Sequence, residues 1–277
     1  MIRVENVSKC YDGEKVLDGV SFSVNSGETF GIIGPNGSGK STLLKLVSGV
    51  ERADTGTIEL DGKPISFYSA RQLAQRMAVL VQDGLPAVGF TVREVIEMGR
   101  YPFQNWFGFE LDDHEALIEG IMDRLDIRRL ASRTLDELSG GERQRVALGK
   151  VMAQQPRWLL LDEPTTYLDI GYQIQMMDYI REWQQESGLT VVAVLHDLNI
   201  ASQYCDRLLA LSQGKMVRIG PPETVIESEL IEKMYAVRPL VLNHPVSSKP
   251  QILLQSEHDT RHDTGPKACP GLVEKEV

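Results

Sequence analysis

Apolar and polar positions change period several times along this chain, and each change marks an element. "VSFSV" (20–24) alternates strictly, and "ETFGII" (28–33) ends in an unbroken apolar run. The first pattern is that of a half-buried strand and the second that of a strand covered on both faces, so residues 1–33 read as strands. A glycine-rich turn follows, and the period then lengthens into a helix from about Gly39 to Ser48. "TIELDGKPI" (57–65) predicts a hairpin turning at Asp61-Gly62. "SARQ" (69–72) opens a short helix with a Ser-x-x-Gln capping box, and "AVLVQ" (78–82) reads as a buried strand. Residues 91–155, opened by a second box in "TVRE" (91–94), are mostly of helical period and are taken as a helical insertion. Strand and helix then alternate: "WLLLD" (158–162), helix 171–187, "TVVAVLH" (190–196), helix 197–205, "RLLAL" (207–211). That alternation predicts an α/β fold, a mostly parallel sheet with helices on both faces. "LVLNHPVSSKPQILL" (240–254) predicts a closing hairpin, and polar, Gly and Pro residues from Ser256 onward predict a disordered tail.

Composition narrows the function classes. A net charge of −10 disfavours a nucleic-acid binder, which needs a basic footprint, and disfavours adhesion to anionic lipid. No apolar run approaches the roughly 20 residues that cross a bilayer, and "MIRVENVSKC" lacks the apolar core of a signal peptide. The reading is a cytosolic chain whose membrane association, if any, runs through a protein partner. Cys10, Cys205 and Cys269 are far apart without metal-ligand spacing and read as free thiols in a reducing compartment.

Two motifs carry phosphate chemistry. "GPNGSGKST" (34–42) satisfies G-x-x-x-x-G-K-[ST] between an apolar strand and a helical pattern. Its glycines let backbone N–H groups of Gly34, Pro35–Thr42 and the following helix end surround an anion, although Pro35 itself brings no N–H. Within Gly34, Pro35, Asn36, Gly37, Ser38, Gly39, Lys40, Ser41 and Thr42, Lys40 is assigned to the β- and γ-phosphates of ATP and the Ser41 hydroxyl to Mg²⁺. "WLLLDEP" (158–164) ends an apolar strand in two carboxylates at the carboxyl edge of the sheet. Asp162 is assigned to Mg²⁺, and Glu163 to the attacking water.

"LSGGERQRV" (138–146) reads as a helix start, with Ser139 and Glu142 forming a capping box around Gly140 and Gly141. Glycines in a first turn cost about 1 kcal/mol each against alanine, so their use is close backbone approach, again to an anion. One nucleotide does not need two such cradles from one chain. The economical resolution is a symmetric dimer in which Ser139–Glu142 closes over the other chain's ATP.

Together these segments resemble the ATPase subunit of ABC transporters. The likeness rests on "GPNGSGKST", Gln82 after a strand, "LSGGERQ", "LLLDEPT", "LD" at 168–169 and His196 after a strand, in family order over residues 1–235. The resemblance implies a P-loop NTPase fold of ABC type with an antiparallel β subdomain and a helical insertion. It implies an ATPase domain over 1–235, a hairpin extension over 236–255 and a tail over 256–277. It also implies that Tyr11 stacks on adenine, that Gln82 senses Mg²⁺ and the γ-phosphate, that Asp169 signals across the dimer and that His196 contacts the γ-phosphate. "TVREVIEMGRYPF", "DEPTTYLDI", "TVVAVLHDLNIASQYCDRLLAL" and "HPVSSKP" are similar to ATPases of importers for ferric siderophores, haem and cobalamin, the ferric-siderophore group above all. Tyr167 stands where many ABC proteins have Ala, and "VQDG" replaces the usual Pro-Gln; neither touches the phosphate-binding residues.

One stretch is still unplaced. "GRYPFQNWFGF" (99–109) holds five of the chain's 18 aromatics, without helical or strand period. Its rings form either a small core for the insertion or a socket for a membrane partner. The resemblance favours the socket, with Tyr101, Phe103, Trp106 and Phe107 contacting the permease. The expected assembly is a homodimer beneath two copies of a polytopic permease, on the cytoplasmic face of the inner membrane. An external substrate-binding protein is an indirect partner, and nucleic acid is not one. The rival reading is a non-transport ABC ATPase such as a soluble assembly factor. "HDTRHDT" (258–264) reads as a solvated tail in preference to a metal site.

Overall fold

A computed structural model describes residues 1–81, 89–104, 114–166 and 168–254. The alternating amino-terminal strands become β1 (Ile2–Tyr11) and β2 (Glu14–Val24). With β4 (Thr55–Leu60) and β5 (Lys63–Pro64) they form an antiparallel sheet in the order β2-β1-β4-β5. The β4–β5 turn falls at Asp61-Gly62, as its sequence predicts.

The larger sheet has the order β10-β9-β3-β8-β7-β6. It comprises β3 (Thr29–Ile33), β6 (Met77–Leu80), β7 (Trp158–Asp162), β8 (Thr190–Val194), β9 (Arg207–Ser212) and β10 (Lys215–Gly220). All neighbours pair in parallel except β10, which runs antiparallel to β9. Successive side chains of a strand leave opposite faces, so the apolar runs of β3, β7 and β8 feed two cores at once. Phe30, Ile32, Leu160, Val192 and Val194 pack with β1, β2 and helix α1 (Lys40–Val47). Ile33, Leu159, Leu161, Val191 and Ala193 pack on the opposite face against the helices there. Fully burying each such side chain contributes about 1.5–3 kcal/mol before the entropy of ordering it is charged.

Helices begin where the capping boxes lie. Ser69 caps α2 (Ala70–Ala74) and Thr91 caps α3 (Val92–Glu97). A 3₁₀ turn (Met98–Phe103), α4 (Glu115–Arg124) and α5 (Gly140–Ala153) complete the described part of the predicted insertion. Arg93 binds Glu115 at 2.9 Å and also pairs with Glu119, which ties α3 to α4. Helices α6 (Ile170–Ser187) and α7 (Leu198–Tyr204) follow β7 and β8.

Three differences from the sequence pattern stand out. β6 stops at Leu80 and leaves Val81 half exposed, so the apolar run outlasts the strand. β8 ends at Val194, two residues before His196. The pattern also gave no sign of β10, of α8 (Pro222–Val225) or of α9 (Ser228–Tyr235). β10 is an edge strand exposed along most of its length, so it carries no buried alternation to read. The described chain closes with the hairpin β11 (Pro239–Asn243) and β12 (Pro250–Leu254).

Candidate functional site

The buried strand β3 delivers the chain into residues 34–42, and two glycines there are dictated by geometry. At Gly39, φ is +99°, and a Cβ would sit 2.7 Å from Leu17 Cδ2 and 3.0 Å from the Val16 carbonyl. At Gly34 a Cβ would lie 2.1 Å from the Leu211 carbonyl oxygen. The loop is thus pressed against β2 and β9, with Asn36 and Gly37 exposed at its lip.

Lys40 opens α1 but is only 5% exposed. Its Nζ donates to the Gly34 carbonyl at 2.9 Å and the Pro35 carbonyl at 3.0 Å. Burial pushes this ammonium below its usual range, against the opposing pull of Glu163 and Asp162. The Ser38 hydroxyl is buried with no hydrogen-bond partner. Tyr11, at the end of β1, is exposed, and its hydroxyl bonds the Glu51 carboxylate.

Strands β3, β8 and β7 are neighbours and parallel, so their carboxyl ends open on one edge. Asp162 ends β7 and accepts from Ser41 Oγ at 3.1 Å. Burial raises its carboxyl, and the negative Glu163 adds to the rise while Ser41 opposes it. Glu163 has φ +52°, a left-handed backbone that costs a non-glycine residue about 1–2 kcal/mol. Its N–H bonds the Val194 carbonyl at 3.1 Å, and its carboxylate pairs with His196 Nε2. The loops after three adjacent strands therefore converge in one polar cluster: Lys40, Ser41, Asp162, Glu163 and His196.

The second motif forms the predicted cap. Glu142 accepts from Ser139 N at 2.9 Å and Ser139 Oγ at 2.8 Å. The Ser139 N–H holds the Glu142 carboxyl below its usual range. The two glycines are not equivalent. A Cβ at Gly140 meets nothing within 4 Å, whereas one at Gly141 would lie 2.9 Å from the Tyr172 ring. Asp169 caps α6 by accepting from Tyr172 N at 3.0 Å, so Asp169 and Gly141 meet through that tyrosine. Gln144 Nε2 bonds the Pro164 carbonyl at 3.1 Å and joins α5 to the turn after Glu163. Among the described residues, no hydrogen bond or ion pair joins Ser139–Glu142 to the phosphate loop.

These donors fit a magnesium nucleotide. The Ser38 hydroxyl is buried without a partner and the Lys40 ammonium is held in the same loop by the Gly34 and Pro35 carbonyls, a donor set that suits an anion. The paired Ser41 and Asp162 oxygens are of the hard type that suits such a cation. No cluster of three or more His, Cys, Asp or Glu able to hold a metal exists among the described residues. A cation here must draw its other ligands from phosphate and water, which suits Mg²⁺.

Of the other predicted residues, Tyr101 is 58% exposed and Phe103 lies under the Arg100 guanidinium, 4.2 Å from the ring centre. Tyr101 lines a cavity of about 260 Å³ with Phe90, Glu94, Glu97 and Met98. Gln82, Trp106, Phe107, Tyr167 and the His258/His262 pair lie outside the described residues. One neighbour of the site escaped the sequence reading. Tyr235, at the end of α9, has a buried hydroxyl without a well-formed bond. Burial pushes its phenol up to about 12, tempered by the nearby Gly34 N–H. No motif marks it, because α9 itself went unread.

The ABC transporter family profile matches residues 17–166, from β2 through the turn after β7. The chain belongs to the ABC transporter ATP-binding family. As an ABC cassette it is an ATPase. This cassette is 42% identical over 260 residues to the uncharacterized ABC transporter ATP-binding protein YvrA of Bacillus subtilis, with 94% of the chain and 59% of YvrA covered. It is 38% identical to the ferric enterobactin transport ATP-binding protein FepC of Escherichia coli, with 91% and 93% covered. It is 42% identical to the hemin import ATP-binding protein HmuV of Rhodococcus jostii, with 91% and 85% covered. The chain thus spans less than two thirds of the Bacillus relative and most of the other two. Its fold matches a dimeric ATP-binding cassette bound to ADP and Pi at a TM-score of 0.67 and 28% identity, with 80% of this chain and 98% of that one covered.

Proposed function

We propose that this cassette is the ATP-hydrolysing subunit of a membrane importer for ferric siderophores, haem or cobalamin, the siderophore class foremost. It works as a homodimer on the cytoplasmic face of the inner membrane, beneath two copies of a polytopic permease served by an external binding protein. Residues 1–235 form the ATPase unit and 236–255 its extension.

The carrying observation is the convergence of Lys40, Ser41, Asp162, Glu163 and His196 at one sheet edge, while among the described residues the capped Ser139–Glu142 turn makes no bond to that edge. Lys40 and the amides of residues 34–42 bind the phosphates of ATP, and Tyr11 offers its ring to adenine. Ser41 and Asp162, with Gln82, would hold Mg²⁺, which would neutralise charge on the phosphates. Glu163 orients water for attack, and His196 keeps that carboxylate aimed and reaches the γ-phosphate. The other copy's Ser139–Glu142 covers the nucleotide, and Asp169, through Tyr172 and Gly141, ties that cover to its own α6. Tyr101 and Phe103, with Trp106 and Phe107, meet the permease. Relatives named for ferric enterobactin transport and hemin import favour an importer over a non-transport assembly factor.

The test is a photocrosslinking amino acid at the exposed Tyr101 in cells of the native host. Capture of a polytopic membrane protein is expected. Capture of a ribosomal or soluble partner instead would remove the transport reading and leave the ATP site standing.

A further inference from the structure

Tyr11 is exposed at the end of β1, yet its ring is held at two places. Lys9 Nζ lies over the ring, 5.4 Å from its centre. The hydroxyl at the ring tip donates to Glu51 Oε2. A cation over an aromatic face is attracted by the ring quadrupole, and an ionised carboxylate is a stronger acceptor for a phenol than a neutral group. With the ammonium on one face, a planar ligand must use the other.

Glu51 is anchored in turn. It lies between α1 and β4, in "GVERADTG" (49–56), where no motif marks it. Its other carboxylate oxygen, Oε1, is 3.6 Å from Lys45 Nζ in the last turn of α1, and its N–H donates to the Lys45 carbonyl at 3.2 Å. The same loop is strapped to the end of β1. Lys9 Nζ donates to the Arg52 carbonyl at 2.9 Å, and Cys10 N donates to Asp54 Oδ2 at 2.7 Å. Ion pairs near the surface add little stability, so what the Lys45 contact contributes is the direction of the carboxylate. α1 opens with Lys40 and Ser41. Glu51 therefore joins the Tyr11 ring to the helix that carries donors of the phosphate loop.

We propose that Glu51 is a positioning residue for the nucleotide: by bonding the Tyr11 hydroxyl while resting on Lys45, it sets the spacing between the ring that receives adenine and the cradle that receives the phosphates. The proposal rests on the reading of Tyr11 as the adenine platform and deepens it. An exposed ring left to itself rotates among its side-chain rotamers, and a ligand that stacks on it must immobilise it. Here the ring is oriented before the ligand arrives, so less of the stacking energy is lost to ordering. The hydroxyl of Tyr11 thereby has a use, because a phenylalanine would offer the same ring without the bond that aims it. Glu51 accordingly matters for ligands that carry a base and not for bare polyphosphates.

The test titrates the full-length chain with MgADP in a calorimeter, since the diphosphate carries the base and does not turn over. Glu51→Ala is expected to raise the Kd about fivefold, the equivalent of one net hydrogen bond. Tyr11→Phe is expected to do the same, and the double variant no more than either alone, because both remove one bond. Glu51→Gln keeps an acceptor for the hydroxyl and is expected to stay within about twofold of the parent. Magnesium tripolyphosphate, read by competition with MgADP, lacks the base and is expected to bind every one of these variants as it binds the parent. Thermal unfolding checks that they fold. Unchanged MgADP affinity in folded Glu51→Ala, an equal loss for tripolyphosphate, or additive losses in the double variant each overturn the inference. Tyr11→Ala tests the platform separately: if that variant binds MgADP like the parent, the adenine reading of Tyr11 falls and the inference falls with it.

Discussion

Gly141→Ala, taken alone and with Tyr172→Ala, separates two reasons for a glycine in the first turn of α5. An added methyl ordinarily favours a helix by up to about 1 kcal/mol. Here it would lie 2.9 Å from two carbons of the Tyr172 ring and 3.1 Å from Cγ, the root of the ring. Because the root is involved, a rotation of the ring tip cannot clear the overlap. Either the ring leaves its site or α6 shifts, and overpacking of this kind costs about 1–3 kcal/mol. The expected net effect of Gly141→Ala is a loss of about 1 kcal/mol. In the Tyr172→Ala background the overlap is gone and only the helical gain remains, so the same substitution is neutral or stabilising. Urea denaturation of the four proteins yields a coupling energy of about 1–3 kcal/mol. Additive effects, with coupling under about 0.5 kcal/mol, would show that the ring does not dictate this glycine.

Other outcomes follow from the same site. Glu163→Gln is expected to bind MgATP, to lose at least about 100-fold in turnover and to accumulate as a closed dimer, as phosphate release and light scattering would record; turnover near the parent rate refutes the role given to Glu163. Lys40→Met removes charge-assisted bonds worth about 1.5–3 kcal/mol and is expected to weaken ATP binding at least tenfold in calorimetry, and unchanged affinity would contradict its assignment. Ser139→Ala removes a helix cap and is expected to cost about 1 kcal/mol in chemical denaturation. The cap also has a pH signature. The Glu142 carboxyl is held below its unfolded value of 4.5, so its contribution is full above that pH and fades as pH falls through the lowered value. Glu142→Gln, which removes the titrating carboxyl, should therefore flatten the acid limb of the stability curve, and an acid limb of unchanged slope would count against the cap.

Local chemistry made much of this chain legible. Capping boxes at Ser69, Thr91 and Ser139 each start a helix at the expected residue, because a cap is a contact among four consecutive residues. The strands β3, β7 and β8 were readable because burial on both faces leaves continuous apolar runs. The phosphate loop was legible because its glycines answer to its own backbone path. What stayed hidden depends on distant partners. Tyr172 explains Gly141, and Tyr235 reaches Gly34 across about two hundred residues of sequence, so neither leaves a local pattern. The aromatic segment "GRYPF" likewise became a 3₁₀ turn through Arg71 and Gln75, whose side chains bond the Pro102 carbonyl at 2.9 and 2.8 Å. β10 went unseen because an exposed edge strand need not alternate.

The bonds from Lys40 Nζ to Gly34 and Pro35 have a consequence for ligand choice. Two of the ammonium's three donors already go to carbonyls of its own loop, so an incoming molecule engages all of it only by displacing them. Both kinds of bond have a charged donor, but an anionic phosphate oxygen adds an opposite charge that a neutral carbonyl lacks, and so displaces it. Adenosine has no such group to trade, and AMP has only the phosphate nearest the sugar. In the proposed ATP site the lysine thus sets an exchange threshold: it holds the loop in its receiving shape and favours a polyphosphate chain long enough to reach it.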